Sequence, residues 1–460
     1  MINELKETHN QNVDQQNGFH HLLDEMKIPY REDNDRLNIG EVTSDAGWVL
    51  FLSATNDLIV DLILKVCPVI YKAGVPFSVV KCMEMATQRN DFWYGANEVG
   101  KIVSIFSIDE KTTTQMVHLL SPLTNMFWGP EVNRSIRLGE IIYVARINYV
   151  KQQDENGNVI RIAKTENPDF KNIPFKVDRK YQYWKRKRLL KGRYVPLVMI
   201  SRSPKGDLLK AVDLKGLRFG WCFIKEGKYH VFNDGKGRYI KDRLQWQAKV
   251  LKELHGEVPV PEFIDYFERG EESYLVMEFL EGVDLHRRIE AIYKNCLWED
   301  LPAESKSLLF NYFLMVLFII DRLHQLGYVH RDATATNFMV LASGEIYAID
   351  LELAYNLHTN EPNPPYTLGV FGYASPQQLK VMTPTIKEDV YSMGALLLHI
   401  LTGKHPSCFV NRESVVDTEE ITQNVHSDIL RNIILRCLDL DPDKRPDIVE
   451  VRAAVEIFIS

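Results

Sequence analysis

Residues 323–340 read LHQLGYVHRDATATNFMV, and residues 346–352 follow as IYAIDLE. The first run sets His330, Arg331 and Asp332 in succession, with Asn337 five positions beyond Asp332. The second ends a strand pair on Asp350. A carboxylate and an amide on one short loop, joined by a second carboxylate from the next strand, form the oxygen set that phosphoryl transfer requires. One carboxylate, Asp332, orients an attacking hydroxyl and accepts its proton. Asn337 and Asp350 hold the Mg2+ that neutralises the β- and γ-phosphates of ATP. An HRD tripeptide alone carries little information, whereas HRDxxxxN followed by a strand-ending IDLE is specific.

Further pieces fall on either side in the order such a site needs. WCFIKEG is a strand carrying Lys225, positioned for the α- and β-phosphates. SYLVMEFLEG is a strand running into a turn, where Met277, Glu278 and Phe279 would line an adenine slot with main-chain donors and acceptors. Downstream, FGYASP (371–376) would end an activation segment, while Asp389 in KEDVYSMG and Arg445 in DPDKRP suit structural roles. On these residues, Val195 to Ser460 resembles the bilobal protein-kinase fold. The resemblance implies ATP and Mg2+ as cofactors, with Asp332 as base, Lys225 as phosphate contact and Asn337 and Asp350 as metal ligands. Four positions depart from the kinase pattern. The nucleotide-covering loop SRSPKGDLLKA has Gly206 as its single glycine, which restricts how closely its backbone can approach phosphate. Gln247 stands where a glutamate pairs with the strand lysine; its amide can hydrogen-bond Lys225 but cannot compensate its charge. Glu352 replaces the glycine of the metal motif, and Gln377 replaces the glutamate that would bridge to Arg445.

Ahead of this region the pattern is that of a small α+β domain. WVLFLSA reads as a buried strand, DLIVDLILKVCPVIYK as an amphipathic helix closed by Gly74, and VPFSVV as a further strand, together a β-α-β unit. KIVSIFS, a helix around Lys111 to Leu120 and EIIYVARINYV complete it. GWVLFLSATNDLIVDLILKVCPVIYKAGVPFSVV, GKIVSIFS and GPEVNRSIRLGEIIY, standing before a kinase-like region with an Asp-Leu-Glu metal motif, resemble class III and class IV lanthipeptide synthetases. Those enzymes join a phosphoserine/phosphothreonine lyase, a kinase and a zinc cyclase, and the resemblance covers roughly residues 45 to 460. It implies that the kinase phosphorylates Ser and Thr of a precursor peptide bearing a leader. The cyclase region is expected to be supplied by a separate polypeptide or to lie outside this chain. The lyase pattern puts a His where Phe51 stands and a Lys where Ser78 stands, and neither replacement can move the proton. Lys101 matches the lysine of the family's strand and Arg137 a phosphate-binding arginine, so these two are the candidate lyase residues. A later arginine corresponds to Val144, with Arg146 nearby. Two readings of this domain stand: a peptide-binding platform whose elimination step another protein performs, or a rearranged site using Lys81, Lys101 and His118.

Boundaries follow: a polar arm over 1–45, a phospholyase-like domain over 46–150, a basic linker over 151–194 and the kinase-like domain over 195–460. The linker's stretch from Asp178 to Tyr194 holds eight Lys or Arg with interleaved aromatics, which suits an interdomain strap or contact with an anionic or peptide partner. Fifty-five Lys plus Arg against 62 Asp plus Glu give a net charge of -7, which argues against a surface built to hold nucleic acid. Six cysteines without zinc-like spacing and a polar amino terminus suit a reducing, cytoplasmic compartment with no membrane association. The expected class is thus α+β, and the expected activity is ATP-dependent phosphorylation of a ribosomal precursor peptide, the partners being that peptide and separate lyase or cyclase proteins. An inactive binding subunit and an unrelated signalling kinase are the rival readings.

Overall fold

The computed structural model describes residues 18–460 apart from 34, 43, 108, 154–158, 167–168, 170–172, 183–188, 216–219, 229, 232–236, 271, 295, 367–368 and 412–413. The arm's first 17 residues and the most basic part of the linker, 183–188, lie outside the described residues.

The amino-terminal domain is built on a single antiparallel sheet. Its strands are β1 (Arg31–Glu32), β2 (Arg36–Ile39), β3 (Ala46–Leu52), β4 (Phe77–Val80), β5 (Val103–Ser107), β6 (Ile136–Arg137), β7 (Ile142–Gln153) and β8 (Val159–Thr165). They lie in the order β1-β2-β4-β5-β3-β7-β6, and β8 pairs with β7. β3 and β4, the strands of the expected β-α-β unit, are not neighbours: β5 enters between them, antiparallel to both. Helix Ile59–Lys72 buries Ile59, Leu62, Ile63, Val66, Cys67 and Ile70, an i, i+3, i+4 stripe packed on the sheet. Helix Glu110–Thr124 starts at Asp109, whose side chain accepts the Thr112 N–H at 2.7 Å.

The sheet takes in residues on both sides of the boundaries drawn from sequence at 46 and 150. Upstream, Phe19, Leu22, Leu23, Leu37 and Ile39 are buried in its core. Downstream, β7 runs on to Gln153 and pairs with β8.

The carboxy-terminal region has two lobes. Its upper sheet is antiparallel in the order β12-β13-β11-β10-β9, from β9 (Tyr194–Ser201), β10 (Leu208–Asp213), β11 (Gly220–Gly227), β12 (Phe263–Arg269) and β13 (Glu272–Glu278). Helix Ile240–Leu254 packs on it and reaches the lower lobe, where Trp246 donates its indole N–H to the Ala354 carbonyl at 2.8 Å. The lower lobe centres on helix Lys387–Thr402, buried continuously from Glu388 to Leu401, against Ala303–Gln325 and Asp428–Cys437. Helix Ala303–Gln325 is long and apolar enough to cross a membrane by composition. Its Leu309, Phe313 and Val316 instead fill the lobe's core.

The two regions touch where Lys228, just past β11, pairs with Glu131 at 2.5 Å and His230 stacks on Trp128 with ring centroids 5.8 Å apart. Beside this contact is a cavity of about 890 Å³ whose lining includes Arg137, Tyr143, Lys180, Met199 and Arg202.

Candidate active site

The loop that carries Asp332 is held by buried charge. Arg331 adopts a left-handed backbone conformation, φ +63°, uncommon for a side chain of this size and maintained only where surroundings dictate it. Here they do. Asp389 accepts the main-chain N–H groups of His330 and Arg331, both at 2.8 Å, and meets His324 Nε2 at 2.9 Å. Burial opposes charge on Asp389, yet His324, His330 and the main-chain donor hold its carboxyl below the ordinary aspartate value. Arg331 in turn binds Glu388 at 2.9 Å and the Tyr366 carbonyl at 2.8 Å. Asp389 and Arg445 thus sit as structural ties. Arg445 donates to Gln377 Oε1 at 2.8 Å, a neutral hydrogen bond where a glutamate would give an ion pair.

Asn337, in the short 3-10 turn Ala335–Asn337, donates its amide to Asp332 twice: to Oδ2 at 2.7 Å and to the carbonyl at 2.8 Å. That leaves its amide oxygen as the atom a metal would use. The other carboxylate oxygen of Asp332, Oδ1, is buried without a hydrogen-bond partner. Burial foremost, then the negative charge of Asp350, pushes Asp332 up to about 7, a value suited to accepting a proton near neutrality.

Asp350 follows β17 (Ile346–Ala348), which pairs with β16 (Phe338–Leu341), itself paired to β14 (Gly282–Asp284); β15 (Tyr328–Val329) leads into the catalytic loop. Both Asp350 oxygens meet Lys225 Nζ, at 2.8 and 2.9 Å. Lys225 lies on the central strand β11, is 6% exposed, and also donates to Glu352 Oε2 at 2.7 Å and Gln247 Oε1 at 3.2 Å. Burial works against its charge, but Asp350 and Glu352 outweigh it and hold the ammonium above its ordinary value. Gln247 acts as the neutral acceptor its amide allows, and its Nε2 is buried without a partner. Two carboxylates compensate Lys225, Asp350 and the more deeply buried Glu352, and Lys205 and Lys225 keep Glu352 ionised against the effect of burial.

Met277 is buried at the end of β13, while the Glu278 N–H is donated to the Glu262 carbonyl at 2.9 Å. Phe279 lies under the Lys210 ammonium, 4.0 Å from the ring centroid. Gly206, at φ +152°, packs so close to β11 that a Cβ would sit 1.8 Å from the Glu226 carbonyl oxygen. Its N–H is donated to the Ser203 carbonyl at 3.2 Å. Gly206 therefore serves close backbone approach within its own turn.

No group of three or more His, Cys, Asp or Glu among the described residues forms a protein-only metal cage. Oxygen donors from Asn337 and Asp350, with the partnerless Oδ1 of Asp332 nearby, fit Mg2+, which is held by one or two carboxylates plus substrate phosphates. When bound, such an ion would neutralise the phosphates and the developing charge.

In the first domain, Phe51 and Tyr143 are direct cross-strand partners on β3 and β7. Lys101 lies over the Phe51 ring at 4.8 Å, and the Arg137 guanidinium over Tyr143 at 5.9 Å. Lys101 is bound to Glu98 at 3.0 Å, and burial, only partly opposed by Glu98, lowers its pKa. Arg137 bonds to Glu140 Oε2 at 3.2 Å and the Gly139 carbonyl at 3.0 Å. Ser78 is buried and accepts from Arg36 at 2.8 Å. Val144 is in the core, and Arg146 is exposed beside Glu166. Lys81 pairs with Glu32, whereas Lys101 pairs with Glu98. Sequence reading missed Arg36, Arg89 and Glu98. Arg89 binds Glu98 at 2.5 Å and also Asp35, surrounding Lys101 with structural charge.

Comparisons with known proteins find a match in each of the two regions, the kinase match beginning after β11. Residues 230–455 match the model of the protein kinase domain, and residues 20–176 that of the RamC N-terminal domain. The C-terminal region is a protein kinase domain. It is similar to serine/threonine-protein kinase B of Synechocystis, 26% identical over 227 residues, which span 47% of this chain and 38% of that protein. It also resembles serine/threonine-protein kinase PrkC of Bacillus subtilis, 32% identical over 226 residues, 47% of this chain and 31% of that one. Mouse serine/threonine-protein kinase Nek10 is 27% identical over 251 residues, 52% of this chain and 22% of its own length. The chain therefore covers well under half of each relative.

Removing the Asp389 carboxylate tests how the loop is held. Asp389→Ala should destabilise the kinase domain by about 2–6 kcal/mol, from two buried N–H groups left without an acceptor at about 1–3 kcal/mol each. Urea unfolding followed by tryptophan fluorescence measures this. Because the folded pKa is depressed, the parent should lose this contribution as pH falls through and below the ordinary aspartate range, and the variant should lack that component of the pH dependence.

Proposed function

We propose that this chain is an ATP- and Mg2+-dependent kinase that phosphorylates Ser and Thr side chains of a ribosomally made precursor peptide, in lanthipeptide-type maturation. The observation that carries the phosphotransfer half is the convergence of Asp332, Asn337, Asp350 and Lys225 where the upper sheet meets the lower lobe, Lys225 bonded to Asp350 and Asn337 to Asp332. The peptide half is supported by the match of residues 20–176 to the RamC N-terminal domain.

In this reading Asp332 accepts the proton of the peptide hydroxyl as it attacks the γ-phosphate, Asn337 and Asp350 hold the metal, and Lys225 orients the α- and β-phosphates. Asn337, by its two hydrogen bonds to Asp332, fixes the direction of the base. The amino-terminal domain binds peptide, and a separate protein carries out elimination. Phe51 and Ser78 support that division, being buried side chains with no acid or base strong enough for the step. Lys101, engaged by Glu98 and the Phe51 ring, and Arg137, engaged by Glu140, would serve in binding rather than in proton transfer.

Incubating the protein with ATP, Mg2+ and a candidate precursor peptide should add phosphate-sized mass increments seen by mass spectrometry. Asp332→Asn should reduce them by two orders of magnitude or more, in line with the usual contribution of a positioned base. Undiminished phosphorylation in that variant would remove Asp332 from its role.

One observation favours a second reading, an inactive binding subunit: Asp350 and Glu352 are both engaged by Lys225. Thermal denaturation separates the two. Saturating Mg2+ and ATP should stabilise the parent by about 2.7 kcal/mol at a hundredfold excess over Kd; an unchanged melting temperature would support the inactive subunit.

A further inference from the structure

Kinases of this fold ordinarily cradle phosphates with the main-chain amides of a glycine-rich loop. In this chain the corresponding turn is closed on itself. The Gly206 N–H goes to the Ser203 carbonyl at 3.2 Å, and the Asp207 N–H goes to the Glu226 carboxylate at 3.1 Å. Lys228 N–H binds the Lys205 carbonyl at 3.0 Å, and the Glu226 N–H binds the Asp207 carbonyl at 3.0 Å, which pins the turn to the end of β11. The contact of Gly206 with the Glu226 carbonyl leaves no room for even a methyl group, so the turn cannot slide without breaking these bonds.

What the turn does present to the cleft is a side chain. Lys205 Nζ lies 2.5 Å from Glu352 Oε1, while Lys225 Nζ binds the other oxygen of that carboxylate at 2.7 Å. One buried carboxylate thus sets two ammonium groups side by side, next to Asp350. Of the two, Lys205 faces outward: its side chain is 27% exposed against 7% for Lys225.

We propose that Lys205 is a second phosphate-binding lysine, positioned by Glu352, and that it supplies from a side chain the cationic grip that loop amides give elsewhere. This rests on the kinase reading. A polyphosphate entering the cleft meets an ammonium already directed there by Glu352, and charge-assisted bonds to phosphate oxygens replace or share the bond to the carboxylate. Glu352 is a positioning residue: through one oxygen it compensates Lys225 in place of the carboxylate missing at Gln247, and through the other it aims Lys205. The two departures from the kinase pattern, a glycine-poor loop and a glutamate in the metal motif, then form a single device.

The test is calorimetric titration of the full chain with Mg2+ plus ATP, with ADP and with adenosine, for the parent, Lys205→Ala and Lys205→Arg. Lys205→Ala should weaken ATP and ADP binding tenfold or more and leave adenosine binding within twofold. Lys205→Arg should recover most of the loss. In turnover assays the alanine variant should raise KM for ATP more than it lowers kcat. Because Lys205 is paired to the buried Glu352, a circular dichroism melt of each variant accompanies the titrations, and the selective loss of ATP and ADP over adenosine is the readout that a general loss of fold would not give. ATP binding by Lys205→Ala within twofold of the parent, or an equal loss of adenosine, overturns the proposal while leaving the kinase reading intact. A parent that binds no nucleotide overturns both.

Discussion

A buried ammonium at the centre of the cleft sets the terms for everything around it. Lys225 is 6% exposed on the middle strand of its sheet, and an unpaired charge at that depth would cost several kcal/mol. Where the helix Ile240–Leu254 offers only the neutral Gln247, the compensating charge comes from below, from Asp350 and Glu352 on the turn after β17. The two lobes are therefore joined through the residues that would handle nucleotide, and structure and chemistry share the same ion pairs.

A second tier of buried charge shapes the catalytic loop. Asp389 gathers main-chain donors of His330 and Arg331, while Arg331 is tied to Glu388 and to the Tyr366 carbonyl. These contacts hold the loop that carries Asp332, while Asn337 bonds its carboxylate, and burial together with Asp350 pushes that carboxyl up to about 7. Energetically the arrangement is costly on its own. Isolated buried charges are unfavourable, so each is balanced by a partner from a distant part of the chain.

Much of this was legible in the sequence because the chemistry is local. Asp332 and Asn337 are five residues apart on one loop, and Asp350 closes the next strand pair, so spacing alone conveyed the set. Lys225 was legible as a strand lysine, and Gln247 as a residue unable to balance it. The solution to that imbalance was not, because Glu352 and Lys225 are 127 positions apart and Lys205 lies 147 positions from Glu352. Only the folded chain brings them together. In the first domain, Phe51 and Ser78 could be recognised as replacements from the resemblance. The charges of Arg36, Arg89 and Glu98 around Lys101 could not, since they come from a strand, a helix and a loop that only the folded chain brings together. Residues 18–42 escaped notice as part of the core for a different reason: their apolar side chains are sparse, and burial rather than abundance makes them count.

The most direct measurement is a crystal structure of the chain with Mg2+ and a non-hydrolysable ATP analogue. In the expected arrangement Asp350 has left Lys225 and joined Asn337 on the metal, Lys225 stays on Glu352, and Asp332 faces open space beyond the terminal phosphate. A cleft still closed by the bond from Asp350 to Lys225, with no nucleotide density at saturating ligand, would contradict it.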